Sequence, residues 1–135
     1  MIFSDKVLRL EVLSKEGTSR TPSVKFDSTQ GILEIKGRSN PELAMVFYEP
    51  LIDWLEEYAK APGEKTVVNI QLEYFNSSSS KCILDAIKIL EGIYKAKHQV
   101  VINWYYEQDD EIILEAGEDY KFLTSTPFKI IEIVE

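Results

Sequence analysis

The segment TVVNIQLEYFNSSSSKCILDAIKIL, residues 66–90, joins two different hydrophobic periodicities across four consecutive serines. Its first part alternates apolar and polar residues and is rich in β-branched side chains, which is typical of a buried strand. After the serines, apolar residues recur at helical spacing. The segment therefore predicts a strand followed directly by a helix, the building unit of an α/β sheet. The inward residues of the strand would be Val68, Ile70, Leu72 and Tyr74.

Three further strands are predicted before this unit. The run KVLRLEVL (6–13) is mostly apolar and indicates a first strand. The runs VKF (24–26) and ILEIKG (32–37) flank a short polar turn, and Gly31 stands where a tight hairpin needs a positive φ. We therefore expect the second and third strands to pair as an antiparallel hairpin.

A helix is predicted between this hairpin and the central strand. Ser39 and Asn40 precede Pro41, which is the arrangement of an N-cap followed by proline at the first helical position. Pro50 falls inside the helical pattern, where its missing N–H is expected to kink the helix or shift its register. The apolar stripe of the helix would comprise Leu43, Phe47, Leu51, Trp54, Leu55 and Tyr58.

The rest of the chain predicts a strand, a short helix and a last strand. HQVVINWYY (98–106) and PFKIIEIV (127–134) have strand character, and the acidic EQDDE (107–111) suits the start of a helix. The order β-ββ-α-β-α-β-α-β indicates one α/β domain over residues 1–135, with a mixed β-sheet and helices packed mainly on one face. The short helix would bury Ile112, Ile113, Ala116 and Tyr120.

The composition excludes several classes of partner. The chain has 15 basic and 23 acidic residues and a net charge of −8, which would repel nucleic acid and anionic membrane surfaces. Cys82 is the only cysteine, so it can form neither an internal disulfide nor a cysteine-based zinc site. The N-terminal sequence does not resemble a signal peptide, and no segment approaches the roughly 20 apolar residues of a membrane span. A cytoplasmic location is expected.

Catalysis finds little support in the sequence, and neither a cofactor nor a metal is expected. A serine nucleophile needs a base, and the single histidine, His98, lies in the connection at the opposite end of the predicted sheet from the serines. Nucleotide-binding glycine motifs and the nucleophile elbow are absent. The acidic run Asp109 to Glu111 lacks the spacing of a calcium loop, so it is better interpreted as a helix start and an acidic face for a basic partner.

The serine run leaves two interpretations open. One of Ser77, Ser78 or Ser79 is expected to be the N-cap of the following helix. Four serines exceed that need. A phosphoryl group here would meet free backbone N–H groups, the positive end of the helix and Lys81. A helix cap and a phosphorylation switch both remain consistent with these residues.

Four stretches together resemble a known family. They are TPSVKFDSTQGILEIKGRSNPE, FYEPLIDWLEEY, LEYFNSSSSKCILD and VVINWYYEQDDEIILEAGEDYKF, and they span about residues 20–131. This combination resembles the SiaC family of bacterial regulatory phosphoproteins, whose fold is similar to the STAS domains of anti-sigma factor antagonists. The resemblance implies a STAS-like sheet and a non-enzymatic switch. It also implies a partner protein kinase, a PP2C-like phosphatase and a downstream target such as a diguanylate cyclase.

The resemblance also implies the site. The family's phosphoacceptor hydroxyl follows an asparagine, which places it at Ser77, after Asn76, with Ser78 as the second candidate. The alternative is a small structural or ligand-binding α/β module in which the serines only cap a helix. The partner surface would include Asn76, Ser78, Ser79, Ser80 and Lys81.

Overall fold

In the computed structural model, which describes residues 10–134, six strands and three helices alternate along the chain in the predicted order. The strands are β1 (Leu13–Lys15), β2 (Ser23–Asp27), β3 (Ile32–Ser39), β4 (Lys65–Phe75), β5 (Gln99–Glu107) and β6 (Phe128–Ile133). The helices are α1 (Ala44–Lys60), α2 (Ser77–Lys95) and α3 (Glu111–Leu123).

The order of the strands in the sheet is their order in the chain, from β1 to β6. Strands β1, β2 and β3 are antiparallel, whereas β3 to β6 are parallel and are connected by the three helices. The antiparallel pairing of β2 and β3 confirms the predicted hairpin. Gly31 in its turn has a φ of 69°, and a side chain there would collide with the Lys65 carbonyl oxygen. The first strand lies later in the chain than predicted, since β1 shares only Leu13 with the run 6–13. Residues 10–12 are not in a strand, and residues 6–9 lie outside the described part.

All three helices cover the same face of the sheet, as predicted. Alternate residues of β4 and β5 are buried against them, and the indole of Trp104 lies in this layer beneath α3. The opposite face carries polar side chains such as Asn69 and Gln71 and is only partly buried. The sheet therefore has one helix-covered face and one open face. The buried residues of the two central strands are Thr66, Val68, Ile70, Leu72, Val100, Ile102 and Trp104.

The end of β4 departs from the predicted alternation. The register between β3 and β4 shifts after Gly37, so that Arg38 is opposite Tyr74 and Glu73 is an extra residue. Tyr74, predicted to face inward, is 41% exposed. The centroid of its ring lies 5.1 Å from the guanidinium carbon of Arg38. Phe75 faces the core instead. The prediction for Tyr74 was wrong because a bulge reverses the alternation of side chains beyond it.

Helix α1 begins three residues later than predicted. Residues up to Ser39 remain in β3, where Ser39 is opposite Phe75, and the helix starts at Ala44. The expected cap is therefore absent: Leu43 is the N-cap residue and makes no side-chain cap bond. The apolar stripe starts from Ala44, and Leu43 is 67% exposed. Helix α1 continues through Pro50 with regular spacing of its buried residues, which are Ala44, Tyr48, Leu51, Trp54, Leu55 and Tyr58.

Helix α3 buries a different set of residues from the predicted one. Ile113 and Tyr120 are buried as expected, together with Gly117. Ile112, predicted to lie in the core, is 81% exposed. The inward face is centred on Gly117, because only a residue without a side chain fits against the Trp104 ring. That contact turns Ile112 toward solvent.

Candidate functional site

The start of α2 lies at the end of the sheet where the parallel strands β3 and β4 end. One residue, Asn76, separates β4 from α2, and Ser77 is already helical. The connection from β3 to α1 passes beside it, because the Asn76 N–H donates to the Ser39 carbonyl at 2.9 Å. Two connections are therefore held together at this edge.

Asn76 is the N-cap of α2. Its Oδ1 accepts a hydrogen bond from the Ser79 N–H at 2.9 Å. Its Nδ2 donates to Asn40 Oδ1 at 3.1 Å and to the Pro41 carbonyl at 3.2 Å. The prediction that a serine caps this helix was wrong. An asparagine serves better here because its amide accepts from the helix and also donates to the neighbouring loop.

Ser79 is fully buried in a chain of hydroxyl groups. The Tyr48 hydroxyl donates to Ser39 Oγ at 2.6 Å, Ser39 Oγ donates to Ser79 Oγ at 2.9 Å, and Ser79 Oγ donates to the Ser39 carbonyl. Burial raises the pKa of Tyr48 to about 12, so its hydroxyl stays neutral at physiological pH. Ser79, expected at a partner surface, does not reach that surface. It joins α2 to β3 and α1.

Ser80 is held by the third helix. The Tyr120 hydroxyl donates to the Ser80 carbonyl at 2.9 Å, and Ser80 Oγ lies 3.1 Å from that hydroxyl. Ser80 is half-buried, and its hydroxyl already has a hydrogen-bond partner in Tyr120. Its side chain connects the first turn of α2 to α3.

Ser77 and Ser78 differ from the two serines that follow them. Both are exposed, and no hydrogen bond to either hydroxyl is found within residues 10–134. Their backbone N–H groups belong to the first turn of α2, which has no intrahelical acceptors. Lys81, also exposed, follows Ser77 by four positions and so lies on the same side of the helix. The first turn of α2 thus presents two unengaged hydroxyls at its positive end.

The single histidine of the chain lies far from these serines. His98 lies beyond the opposite end of α2, a helix of 19 residues and hence about 28 Å in length. In the range 10–134, no group of three or more His, Cys, Asp or Glu residues is arranged to hold a metal ion. Asp110, considered above as a cation ligand, caps α3 by accepting a hydrogen bond from the Ile113 N–H at 3.0 Å. The described helices include none that is long and apolar enough to cross a membrane.

An exposed apolar patch adjoins the serines. We define the α1 patch as Leu43, Met45 and Val46, each about two-thirds exposed. It contacts α2 through Met45, whose Sδ lies 3.9 Å from Cys82 Sγ. Cys82 itself is buried, as predicted. The sequence did not reveal this patch, because Leu43 fits the helical stripe equally well when the helix is assumed to begin at Pro41.

Comparisons with known proteins identify the family. The family model described as SiaC family regulatory phosphoprotein matches residues 15–133. The chain belongs to the SiaC family. This confirms the family predicted from the sequence, and the mixed α/β sheet with helices on one face is confirmed by the fold.

Solved SiaC structures share this fold. A chain of the crystal structure of diguanylate cyclase SiaD in complex with its activator SiaC from Pseudomonas aeruginosa is 30% identical, with a TM-score of 0.84 over 90% of this chain and 99% of that chain. SiaC of Pseudomonas aeruginosa is 28% identical, with a TM-score of 0.84 over 91% and 99% of the two chains. An uncharacterised protein of Pseudomonas aeruginosa strain UCBPP-PA14 is 31% identical over 115 residues, which are 84% of this chain and 90% of that protein.

Proposed function

We propose that this SiaC-family protein is a non-enzymatic switch whose binding to a downstream signalling protein is controlled by phosphorylation of Ser77. A partner kinase transfers the γ-phosphoryl group of ATP to Ser77 Oγ, which loses its proton. A PP2C-like phosphatase hydrolyses the ester to serine and phosphate. The unmodified form binds and controls a target such as a diguanylate cyclase, by analogy with the complex of SiaD and its activator SiaC.

The observation that carries this proposal is that the four serines differ in exposure and in hydrogen bonding. Asn76 provides the cap, and Ser79 and Ser80 are engaged in hydrogen bonds. Ser77 and Ser78 remain exposed, so a kinase can reach their hydroxyls without unfolding the helix. Ser77 directly follows Asn76, as in the family motif, and Ser78 is the second candidate.

The electrostatic setting favours a phosphoryl group at Ser77. The group carries a charge of about −1.5 to −2 at neutral pH. It would lie beside the free N–H groups of the first turn of α2, at the positive end of the helix dipole and one turn from Lys81. The folded state can therefore carry the modification at little electrostatic cost.

The same group would change the surface that a partner meets. The proposed docking surface comprises Asn76, Ser78, Ser80 and Lys81 together with the α1 patch, while buried Ser79 holds it in place. A hydrated double charge beside these apolar side chains would have to lose its water shell when a partner covers the patch. Binding of the target is thereby expected to weaken.

The alternative, a structural or ligand-binding module whose serines only cap the helix, is less well supported. The capping acceptor is Asn76 Oδ1, so helix capping does not explain the exposed Ser77 and Ser78 hydroxyls. If this alternative held, neither hydroxyl would be modified in the host.

The first experiment maps phosphate on the protein purified from its own host. Intact-mass and fragment mass spectrometry are applied to the wild type and to Ser77→Ala, Ser78→Ala and Ser19→Ala. Ser19 is an exposed serine in the turn before β2, outside the serine run, and serves as the control. Phosphate lost in Ser77→Ala and kept in Ser19→Ala supports the proposal. Unmodified serines in every growth condition, even with a neighbouring kinase co-expressed, would contradict it.

The second experiment tests the consequence for binding. Ser77→Asp and the control Thr29→Asp are compared with the wild type in binding to a diguanylate cyclase of the same host and in its production of cyclic di-GMP. Thr29 is exposed in the turn between β2 and β3, at the opposite end of the sheet from Ser77. We expect Ser77→Asp alone to lose binding and regulation. Equal binding by both variants would show that the charge at Ser77 does not control the target.

A further inference from the structure

Most of the net charge of the protein lies in α3 and the loop before it. Residues 107–123 contain seven acidic side chains and one basic one, Lys121, a net charge of −6 compared with −8 for the whole chain. Among the ion pairs found between described residues, none involves these carboxylates. Asp110 is engaged as the cap of α3. The remaining charges are uncompensated, and the proposed phosphorylation does not use them.

Two large apolar side chains stand on this acidic surface. Ile112 is 81% exposed and Phe122 is 89% exposed. Ile112, Glu115, Asp119 and Phe122 follow one another at steps of three and four, so they form one stripe on the solvent side of α3. The two apolar residues are ten positions apart, which is about 15 Å along the helix. Acidic residues therefore lie between two apolar anchors.

A concave region opens at the first anchor. A cavity of about 680 Å³ is lined by Glu107, Gln108, Asp109, Asp110, Glu111, Ile112 and Ile133. Its wall combines the apolar side chains of Ile112 and Ile133 with acidic side chains, of which Asp110 caps α3. A lysine or arginine side chain suits this combination, because its stem packs on apolar atoms while its charged end reaches acidic groups. The cavity thus favours a basic side chain carried by a larger partner.

We propose that the outward stripe of α3 and this cavity form a docking surface for a basic amphipathic helix of a partner protein. The helix would place apolar residues on Ile112 and Phe122 and basic residues over the carboxylates between them. A second copy of this chain is a poorer occupant, because two surfaces of charge −6 repel each other. A metal ion would leave both apolar anchors uncovered. This surface shares no residue with the docking surface proposed around Ser77, and the inference does not depend on the proposed function.

The test uses a synthetic peptide of about 18 leucine and lysine residues arranged as an amphipathic helix. Its binding to the full protein is followed by amide chemical shifts and by fluorescence anisotropy at physiological ionic strength. Phe122→Ser removes one anchor, and Val12→Ser, just before β1, is the control at an exposed apolar side chain outside both proposed surfaces. Glu115→Lys with Asp119→Lys reverses the charge, and Glu49→Lys with Asp53→Lys on α1 matches its change in net charge.

We expect the peptide to shift resonances of residues 107–123. Phe122→Ser and the charge reversal on α3 should each weaken binding about tenfold or more, whereas the control variants change it less than about twofold. Circular dichroism should show every variant folded, since all these residues are exposed. Shifts spread over other acidic surfaces, or equal weakening by the control variants, would overturn the proposal. A dimer of the protein alone that dissociates on Phe122→Ser would also overturn it, in favour of a second copy.

Discussion

Asn76 performs two tasks that are usually divided between residues. Its Oδ1 satisfies an orphan N–H of α2, and its Nδ2 holds the loop that leads into α1. Ser77, its neighbour, makes no hydrogen bond through its hydroxyl to any residue of the range 10–134. At the scale of single residues, a structural role and the proposed regulatory role thus fall on adjacent positions.

This division predicts opposite effects of two neighbouring substitutions. Asn76→Ala should lower the free energy of unfolding by about 1 to 3 kcal/mol, because it removes the cap and leaves polar groups of the loop without a partner. Ser77→Ala should change it by less than about 0.5 kcal/mol, as expected for an exposed site. Urea unfolding of both variants checks this. A loss of stability in Ser77→Ala as large as that in Asn76→Ala would argue that the serine is structural.

Local signals in the sequence account for part of this site. An asparagine before a serine run at a strand end marks a helix start, and the family motif points to Ser77. The hydroxyl chain from Tyr48 through Ser39 to Ser79 was not predicted. It depends on side chains 40 residues apart that meet only when β3 pairs with β4, and no local pattern encodes that meeting.

The same limit applies to the bounds of the elements. Periodicity predicted helices α1 to α3 and strands β2 to β6, because alternation and helical spacing are local properties, but it placed β1 too early in the chain. It misplaced the start of α1 because Ser39 pairs with Phe75, which extends β3 beyond the apparent cap. It misplaced Tyr74 because the bulge at Glu73 is a property of two strands together.

The packing of α3 on the sheet requires a glycine. A Cβ at Gly117 would lie 2.6 Å from Trp104 Nε1, and this indole is fixed by its hydrogen bond to the Ile113 carbonyl at 2.9 Å. Gly117→Ala should therefore destabilise the protein by about 1 to 3 kcal/mol. Gly92→Ala in α2 is the matched control, since its Cβ would have no neighbour within 4 Å. Thermal unfolding should show the control stabilised by about 0.5 to 1 kcal/mol.

A carboxylate joins α2 to the connection between α3 and β6. The Ser125 N–H donates to Glu91 Oε2 at 2.6 Å, and this bond, with the Ser125 hydroxyl, lowers the pKa of Glu91 from 4.5 to about 2. Because folding lowers the pKa, the stabilisation is complete above pH 4.5 and is lost as the pH falls toward 2.

Glu91→Gln should therefore be less stable than the wild type at pH 7. The difference in free energy of unfolding should shrink between pH 4.5 and about 2, where the wild-type carboxylate becomes protonated. Urea unfolding at a series of pH values measures it, with Glu115→Gln as the exposed control. A difference that stays constant over this range would mean that the carboxylate charge does not stabilise the fold.

At the scale of the whole molecule, stability is expected to vary across the sheet. Strands β4 and β5 have a strand on each side and helices on one face, whereas β1 has three residues and a single neighbour. Hydrogen–deuterium exchange should be slowest in β4 and β5, whose amides face a neighbouring strand on both sides, and fastest in β1. Uniform protection from β1 to β6 would contradict this and indicate that the sheet opens only as a whole.

The strands lie in the sheet in the same order as in the chain, and this order affects how the sheet can form during synthesis. During synthesis each strand from β2 to β6 leaves the ribosome when its neighbour in the sheet has already emerged. None of these strands has to wait for a later one to be inserted between it and its neighbour. The sheet can grow at one edge as the polypeptide lengthens, and an incomplete nascent chain lacks only the strands at the growing edge.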